Sequence, residues 1–357
     1  MNDSFFKVPY ISITPTTVTC YSQLYDSRTM LPYRSLINEL PESNIHRGTI
    51  SKKSYSRIYR RVFTYLYNVD RDILMSGKGR EKVGFLTLTL PSPQVKKVHK
   101  NWVEFRHSDQ EIKSKCLNQF FVELSKNYGL KHKVWKGEKQ KNGNIHFHVL
   151  IDRFISHTEL RERWNRIINK LGYVSRYRDQ MNKLTEQQYI ELRLREYTTP
   201  LSQDKKKKLV ERYKKAYKEG VATNWLQPNT TDIHSLYKNK KGKSINNVVA
   251  YIAKYMSKSD EFQSDNKAWG FDMQYVKGRI WYCSQLISKA CKVVVDMSDD
   301  LMNAFEKMCE TLKDTYVVTD EYFTVACQSI VKAAKHGICE FDDIFYNNLK
   351  ILQYESS

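Results

Sequence analysis

The sequence predicts an α+β fold built around an antiparallel sheet. Residues 84–90 alternate in hydrophobicity, and residues 133–151 form two more alternating runs on either side of Asn142-Gly143, which indicates a β-hairpin. Helical spacing of apolar residues appears between and after these strands. This order of elements favours an antiparallel sheet with flanking helices over a doubly wound parallel sheet.

The first alternating segment, FLTLTL at Phe85–Leu90, predicts a strand that ends at Pro91. Its three leucines fall on one side, and Phe85 falls on the other side with the two threonines. Such alternation is typical of a half-buried strand.

Two helices are predicted around the hairpin. Apolar spacing runs from about Asp109 to Tyr128, and Gly129 follows where a helix would end. After the hairpin, Ser156 and Glu159 form a capping-box pattern that predicts a helix ending at Gly172.

The stretch from Tyr173 to Gly220 is highly charged and predicts an exposed helical insertion. It contains the run Lys205, Lys206, Lys207 and Lys208, for which a solvated face and a DNA contact are equally good interpretations. A short strand is predicted at 233–237, followed by the basic loop 238–243 and a helix from Ser244 to about Lys258.

The charge of the chain indicates a polyanionic partner. The 357 residues carry a formal net charge of +20, with an isoelectric point near 9.4, and nucleic acid is the commonest such partner. From Asp296 onward, 12 acidic residues oppose 5 basic ones, so the preceding residues carry +27. We therefore expect DNA binding in the basic part of the chain.

Cysteine usage and hydropathy bear on the compartment. The seven cysteines are scattered without a C-x-x-C pair, which disfavours a zinc ribbon and is typical of reduced cytosolic thiols. The N-terminus lacks the pattern of a signal peptide, and no apolar run approaches 18 residues. We expect a cytoplasmic protein that does not span a membrane.

His146 and His148 are the first candidates for chemistry. Two residues apart on a strand, they project from one face and can share a metal ion, although two surface histidines would give the same pattern. Glu138 joins them only if the turn is the three-residue loop 141–143, because a two-residue loop would point it away. One carboxylate and two imidazoles would leave positions open on Mg²⁺ or Mn²⁺.

The helix after Ser244 carries the second set of candidates. Tyr251 and Tyr255 lie one turn apart, and Lys254 lies near both of them. Tyrosine needs a nearby cation or base to gain phenolate character, which Lys254 can provide. An amphipathic helix in a protein rich in tyrosine and lysine is the plain alternative.

A nucleotide site is not predicted. Gly242-Lys243-Ser244 matches the end of a phosphate-binding loop, but Tyr237 stands where the first glycine of that loop belongs. We expect Lys243 to belong to a basic loop, and we expect no ATP hydrolysis.

Together these segments resemble the rolling-circle replication initiators of the HUH endonuclease superfamily. FLTLTL is similar to the first family motif, NIHFHVLID at 144–152 to the histidine motif, and YIAKY at 251–255 to the tyrosine motif. KGRIWYCSQ at 277–285 resembles a segment that follows the tyrosine helix in phage initiators. The paired tyrosines resemble those of small single-stranded DNA phages.

The resemblance implies a ferredoxin-like or RRM-like central antiparallel sheet with flanking helices. It also implies a site-specific nickase in which Glu138, His146 and His148 hold the metal, Tyr251 and Tyr255 attack in turn through a 5′-phosphotyrosyl intermediate, and Lys254 assists. Origin single-stranded DNA would be the substrate, with host helicase and DNA polymerase as partners in a bacterial cytoplasm. Basic residues expected to bind DNA are Lys205, Lys206, Lys207, Lys208, Lys240, Lys241, Lys243, Lys258 and Arg279.

Two other functions remain open at this stage. A two-tyrosine transposase would use the same chemistry, but such enzymes usually carry a cysteine-rich N-terminal module, and only Cys20 lies in the first hundred residues. A non-catalytic basic nucleic-acid-binding protein is the other alternative.

We expect three consecutive parts. Residues 1–80 would be a basic extension packed on the core, 81–290 the endonuclease domain with an insertion at about 173–225, and 291–357 an acidic segment.

Overall fold

The structure is a computed structural model. It describes eleven stretches of the chain, namely residues 5–30, 56–62, 64, 84–99, 103–140, 142–195, 197, 202–235, 275–289, 292–319 and 324–355. Contacts divide these residues into two compact units, one built on residues 84–235 and 275–282 and the other containing both ends of the described chain.

The strands within these ranges are β1 Phe5–Ile13, β2 Thr17–Asp26, β3 Gly84–Leu88, β4 Val95–Val98, β5 Val103–Phe105, β6 Lys133–Lys139, β7 Ile145–Ile151, β8 Thr231–Ser235, β9 Trp281–Cys283, β10 Val293–Asp296, β11 Tyr316–Thr319 and β12 Thr324–Ser329. The helices are α1 (Asp109–Glu111, the π-helical Ile112–Leu117 and Asn118–Tyr128), α2 His157–Asn169, α3 Tyr173–Met181, α4 Glu186–Leu194, α5 Gln203–Ala222, α6 Gln285–Lys289, α7 Asp299–Leu312, α8 Ile330–Lys335 and α9 Glu340–Glu355. In the described part of the chain, none of the helices has the length and apolar character needed to cross a membrane.

The first unit is built on a five-stranded sheet in the order β8-β3-β7-β6-β9. The central strand β7 runs antiparallel to both of its neighbours, β3 and β6. Helices α1 and α2 cover one face, where Leu88 and Phe147 of the sheet join Phe120 and Trp164 of the helices in a buried core. The predicted mixed α+β fold with antiparallel pairing is confirmed at this level.

Both predicted helices of this unit are present, with local signals at their ends. The Ser108 hydroxyl accepts the Glu111 N–H, and the Glu111 carboxylate accepts the Ser108 N–H, so α1 begins with a capping box. It ends at Gly129, whose positive φ of 63° favours glycine. At the start of α2, Ser156 also accepts the Glu159 N–H, but it donates its own hydroxyl to the Glu159 carboxylate.

The predicted insertion is helical. Helices α3, α4 and α5 pack around a small core of their own that contains Met181, Tyr189, Tyr213 and Trp225. Lys205–Lys208 lie exposed in the first turns of α5. The strand expected at 233–237 begins earlier, at Thr231.

The second unit joins the two ends of the chain in one sheet, ordered β10-β1-β2-β12-β11. Strands β1 and β2 form a hairpin, and each pairs with a strand from beyond residue 290. The N-terminal strands and the acidic segment, which differ in net charge, thus share one sheet. Net charge reports surface composition, whereas strand pairing joins segments distant in sequence.

Candidate metal centre

The β6–β7 hairpin has the turn on which the metal prediction depends. Glu138 pairs with His146 and Lys139 with Ile145. The Gln140 N–H donates to the Asn144 carbonyl at 2.9 Å, so three residues lie between the closing pair. Gly143 has a φ of +79°, the left-handed conformation expected at the last position of such a loop. The predicted register is confirmed, and Glu138 lies on the face that carries both histidines.

Three side chains converge on this face. The Nε2 atoms of His146 and His148 are 3.0 Å apart. Glu138 Oε1 lies 3.1 Å from the first and 2.9 Å from the second. All three side chains are largely buried, with exposed fractions of 12%, 9% and 21% for His146, His148 and Glu138. The arrangement can hold a metal ion.

The spacing of these donor atoms fits a six-coordinate divalent cation. Metal–ligand bonds of about 2.1 Å at right angles place neighbouring donors roughly 3 Å apart, close to the three separations given above. The three ligands would occupy one face of such an ion and leave the opposite positions for water or substrate oxygens. Two imidazoles and a carboxylate suit Mn²⁺, Fe²⁺ and related ions, so the donor set alone does not select one.

Burial and local contacts keep Glu138 and His148 in their metal-binding forms. Burial alone would raise the pKa of the Glu138 carboxyl, but hydrogen bonds from both histidines and the charge of Lys136 hold that pKa well below its usual range. Burial lowers the pKa of His148, an effect that its hydrogen bond to Glu138 opposes and the neighbouring His146 reinforces. A carboxylate and a neutral imidazole are the forms that bind metal.

Sequence reasoning missed three neighbours of the triad. The buried Lys136 places its Nζ 3.3 Å from Glu138 Oε2 and so compensates the carboxylate charge. The amide of Gln140 lies 3.4 Å from His146 Nδ1. Phe85 stacks on His148 with ring centres 5.7 Å apart, which explains why it is buried rather than exposed as the alternation suggested. Lys136 lies two residues before Glu138, so strand periodicity could have found it.

A buried polar network supports the turn of the hairpin. Lys139 Nζ donates to Asp109 Oδ1 at 2.6 Å and to the Gly143 carbonyl at 3.1 Å. The Gln94 side chain donates to the same Asp109 oxygen and accepts the Ile145 N–H. Because Asp109 and Lys139 are almost fully buried, the pair is costly to break and holds the loop firmly.

The remaining predicted site residues fall into two groups. Lys205–Lys208 and Arg279 are exposed, the lysines on α5 and Arg279 just before β9. The others lie outside the described residues, namely Tyr251, Lys254, Tyr255, Lys240, Lys241, Lys243 and Lys258. The structure thus brings together the three expected metal ligands and leaves the tyrosine assignment a prediction.

Comparisons with protein-family models, curated proteins and solved structures give no match for this chain. The assignment of a site therefore stands on the geometry of Glu138, His146 and His148 and on the sequence patterns around them.

Proposed function

We propose that this protein is a rolling-circle replication initiator of the HUH type, a metal-dependent single-stranded DNA endonuclease and strand transferase. The observation that carries the proposal is the cluster of Glu138, His146 and His148 on a hairpin at the centre of an antiparallel sheet. The order of the histidine and tyrosine segments along the chain and the strong positive charge support it.

In the proposed reaction, the metal triad, Lys136 and Tyr251 have different roles. A divalent ion bound at the triad would supply Lewis-acid stabilisation of the scissile phosphate. Glu138 remains ionised because of its hydrogen bonds to the histidines, and Lys136 offsets its charge. In the proposed reaction the Tyr251 oxygen bonds to phosphorus and its hydroxyl proton passes to water. The bond from phosphorus to the 3′ oxygen breaks, and that oxygen takes a proton from water to become the free hydroxyl that primes synthesis.

The second tyrosine accounts for rejoining. Tyr255 would attack the regenerated junction, which lets the 3′ hydroxyl released in that step displace Tyr251 and close a unit-length circle. Lys254 would favour the phenolate form of either tyrosine. The substrate would be single-stranded or locally unwound, so the protein would work with a host helicase and DNA polymerase in a bacterial cytoplasm.

A covalent-adduct assay tests this proposal. The protein is incubated with Mn²⁺ and single-stranded oligonucleotides from the DNA adjoining its gene, and we expect a protein–DNA adduct that denaturing electrophoresis resolves. The adduct should disappear in the double variant Tyr251→Phe/Tyr255→Phe. Absence of an adduct with every single-stranded substrate would favour a non-catalytic nucleic-acid-binding protein instead.

A second variant separates metal chemistry from DNA binding. His148→Ala should abolish cutting but retain salt-sensitive binding, because the basic surface is unchanged. If DNA binding is lost together with cleavage, the assignment of His148 to the metal is wrong. Cleavage confined to the ends of a mobile element would favour the transposase alternative.

A further inference from the structure

A basic turn at 277–279 is held from inside the protein by two buried charged side chains. Lys113 Nζ donates to the carbonyls of Lys277 and Arg279, at 2.5 and 3.1 Å. Asp109 Oδ2 accepts the Lys277 N–H at 3.0 Å. Gly278, between Lys277 and Arg279, has a φ of +75°, a left-handed conformation that favours glycine.

This arrangement directs backbone groups inward and leaves the turn itself on the surface. Asp109 and Lys113 are 4% and 5% exposed, whereas residues 277–279 are exposed. Burying a lysine is unfavourable unless its ammonium is well hydrogen-bonded. The two carbonyls that accept hydrogen bonds from Lys113 therefore hold the backbone of the turn in place. The Arg279 guanidinium lies 5.6 Å over the Tyr282 ring, a contact that limits its freedom.

The same carboxylate also holds the metal hairpin. Asp109 Oδ1 accepts Lys139 Nζ, and Lys139 directly follows Glu138. On the other side, the Gly137 N–H donates to the Ile280 carbonyl at 2.8 Å, and Gly137 directly precedes Glu138. The turn is therefore joined by hydrogen bonds to the residues on either side of Glu138.

We propose that this turn binds a backbone phosphate of single-stranded DNA through Lys277 and Arg279. Asp109 and Lys113 act as positioning residues that fix the turn relative to the hairpin. An arginine fork suits a phosphodiester because it can donate two parallel hydrogen bonds. This inference rests on the proposed function and gives its substrate a second point of attachment.

Binding without cleavage tests the proposal. A fluorescently labelled thymidine oligonucleotide of about 20 residues, longer than one typical binding site, is titrated with the full chain in EDTA at several salt concentrations. We expect Arg279→Ala to weaken binding about tenfold and to reduce the slope of log affinity against log salt by about 0.7, the value for one lost phosphate contact. Lys277→Ala should act in the same direction.

Lys113→Met and Lys115→Met form a matched pair that tests positioning. Both lower the net charge by one, but Lys115 is exposed and pairs with Glu111 on the same helix. We expect Lys113→Met to weaken binding several-fold and Lys115→Met to leave it nearly unchanged. Thermal unfolding checks that Lys113→Met is folded; if it is not, the two surface variants decide the proposal.

The results separate this inference from the proposed function. Normal binding by Arg279→Ala and Lys277→Ala would overturn the phosphate-binding turn even if the wild-type protein forms a DNA adduct. Weakened binding by both variants, in a protein that never forms an adduct, would support the turn and overturn the endonuclease. An equal loss with Lys115→Met would show a general charge effect and would also overturn the turn.

Discussion

The two carboxylate oxygens of Glu138 have different partners: one contacts the imidazoles of His146 and His148, and the other contacts the ammonium of Lys136. Glu138 Oε1 lies within 3.1 Å of both histidine Nε2 atoms, while Oε2 faces Lys136. Two ring nitrogens 3.0 Å apart cannot both direct a proton at each other, so the Glu138 carboxylate is the common acceptor for both rings. Glu138 is accordingly the residue whose charge matters most to the site.

We expect Glu138→Gln to weaken Mn²⁺ binding by more than the roughly 10- to 100-fold loss that removal of an outer-shell partner causes. The substitution keeps the shape of the side chain but removes the negative charge and one metal-binding oxygen. Titration calorimetry measures the affinity. Glu123→Gln is the control. Like Glu138, Glu123 is a largely buried carboxylate, but it pairs with Arg163 and Arg166 and lies outside the triad. Similar losses in both variants would contradict the assignment.

Lys113 gives a prediction about pH. Burial lowers its pKa from 10.5 to about 8, an effect that Asp109 opposes only in part. Between these two values the unfolded chain binds more protons than the folded one, so the contribution of Lys113 to stability becomes more favourable as pH rises from about 8 toward 10.5. Below pH 8 the full cost of burying the charged form remains.

The measurement compares the free energy of unfolding of the wild type and Lys113→Met at pH 7 and pH 10, by urea denaturation. Relative to the variant, the wild type should gain on the order of 2 kcal/mol over this interval. Lys115→Met should retain the wild-type pH dependence. An identical pH dependence in wild type and Lys113→Met would show that the ammonium is not buried at a cost.

At the scale of elements, the turn of the β6–β7 hairpin sets the strand register that places Glu138 on the same face as His146 and His148. We expect Gly143→Ala to lower the free energy of unfolding by about 1–2 kcal/mol, since alanine resists the left-handed conformation at φ +79°. Gly143→Asn should cost less, because asparagine tolerates that region. Mn²⁺ affinity should remain unchanged, since the ladder from Lys133 to Lys139 still fixes the register. Equal losses for alanine and asparagine would contradict this explanation.

The hairpin also shows why part of the site could be predicted from the sequence. Glu138, His146 and His148 lie within eleven consecutive residues, so strand periodicity and turn chemistry suffice to place them on one face. The helix signals at Gly129, Ser156 and Gly172 are local in the same way. A sequence pattern can therefore predict a contact when the contacting residues are close together in the sequence.

The supporting contacts could not be predicted in this way. Asp109 meets Lys139 across 30 residues and Lys277 across 168, and nothing in the spacing of either pair indicates a contact. The pairing of β1 with β10 joins segments even further apart, and their charges suggest separate regions. These interactions depend on how the helices and strands pack together. Patterns within a single segment of the sequence do not contain that information.

At the scale of the whole molecule, charge is distributed so that the insertion contributes a basic surface of its own. Helix α5 begins with the exposed run Lys205–Lys208, while Lys214 and Lys215 further along face Glu211 and Glu219 at 3.1 and 3.9 Å. Within this run, Lys206 and Lys207 carry the same charge as Lys214 and Lys215, but the second pair already has acidic neighbours. They therefore provide matched variants for testing whether the run itself contacts DNA.

We expect Lys206→Ala/Lys207→Ala to weaken binding of a thymidine oligonucleotide and to reduce its salt-dependence slope by up to about 1.4, because each phosphate contact contributes about 0.7. Lys214→Ala/Lys215→Ala lowers the net charge by the same amount but should change the slope less. Fluorescence anisotropy in EDTA gives both slopes, and unchanged thermal unfolding would confirm that the fold is intact. Equal slopes for the two double variants would mean that the insertion acts only through net charge, and the lysine run would then be a solvated face.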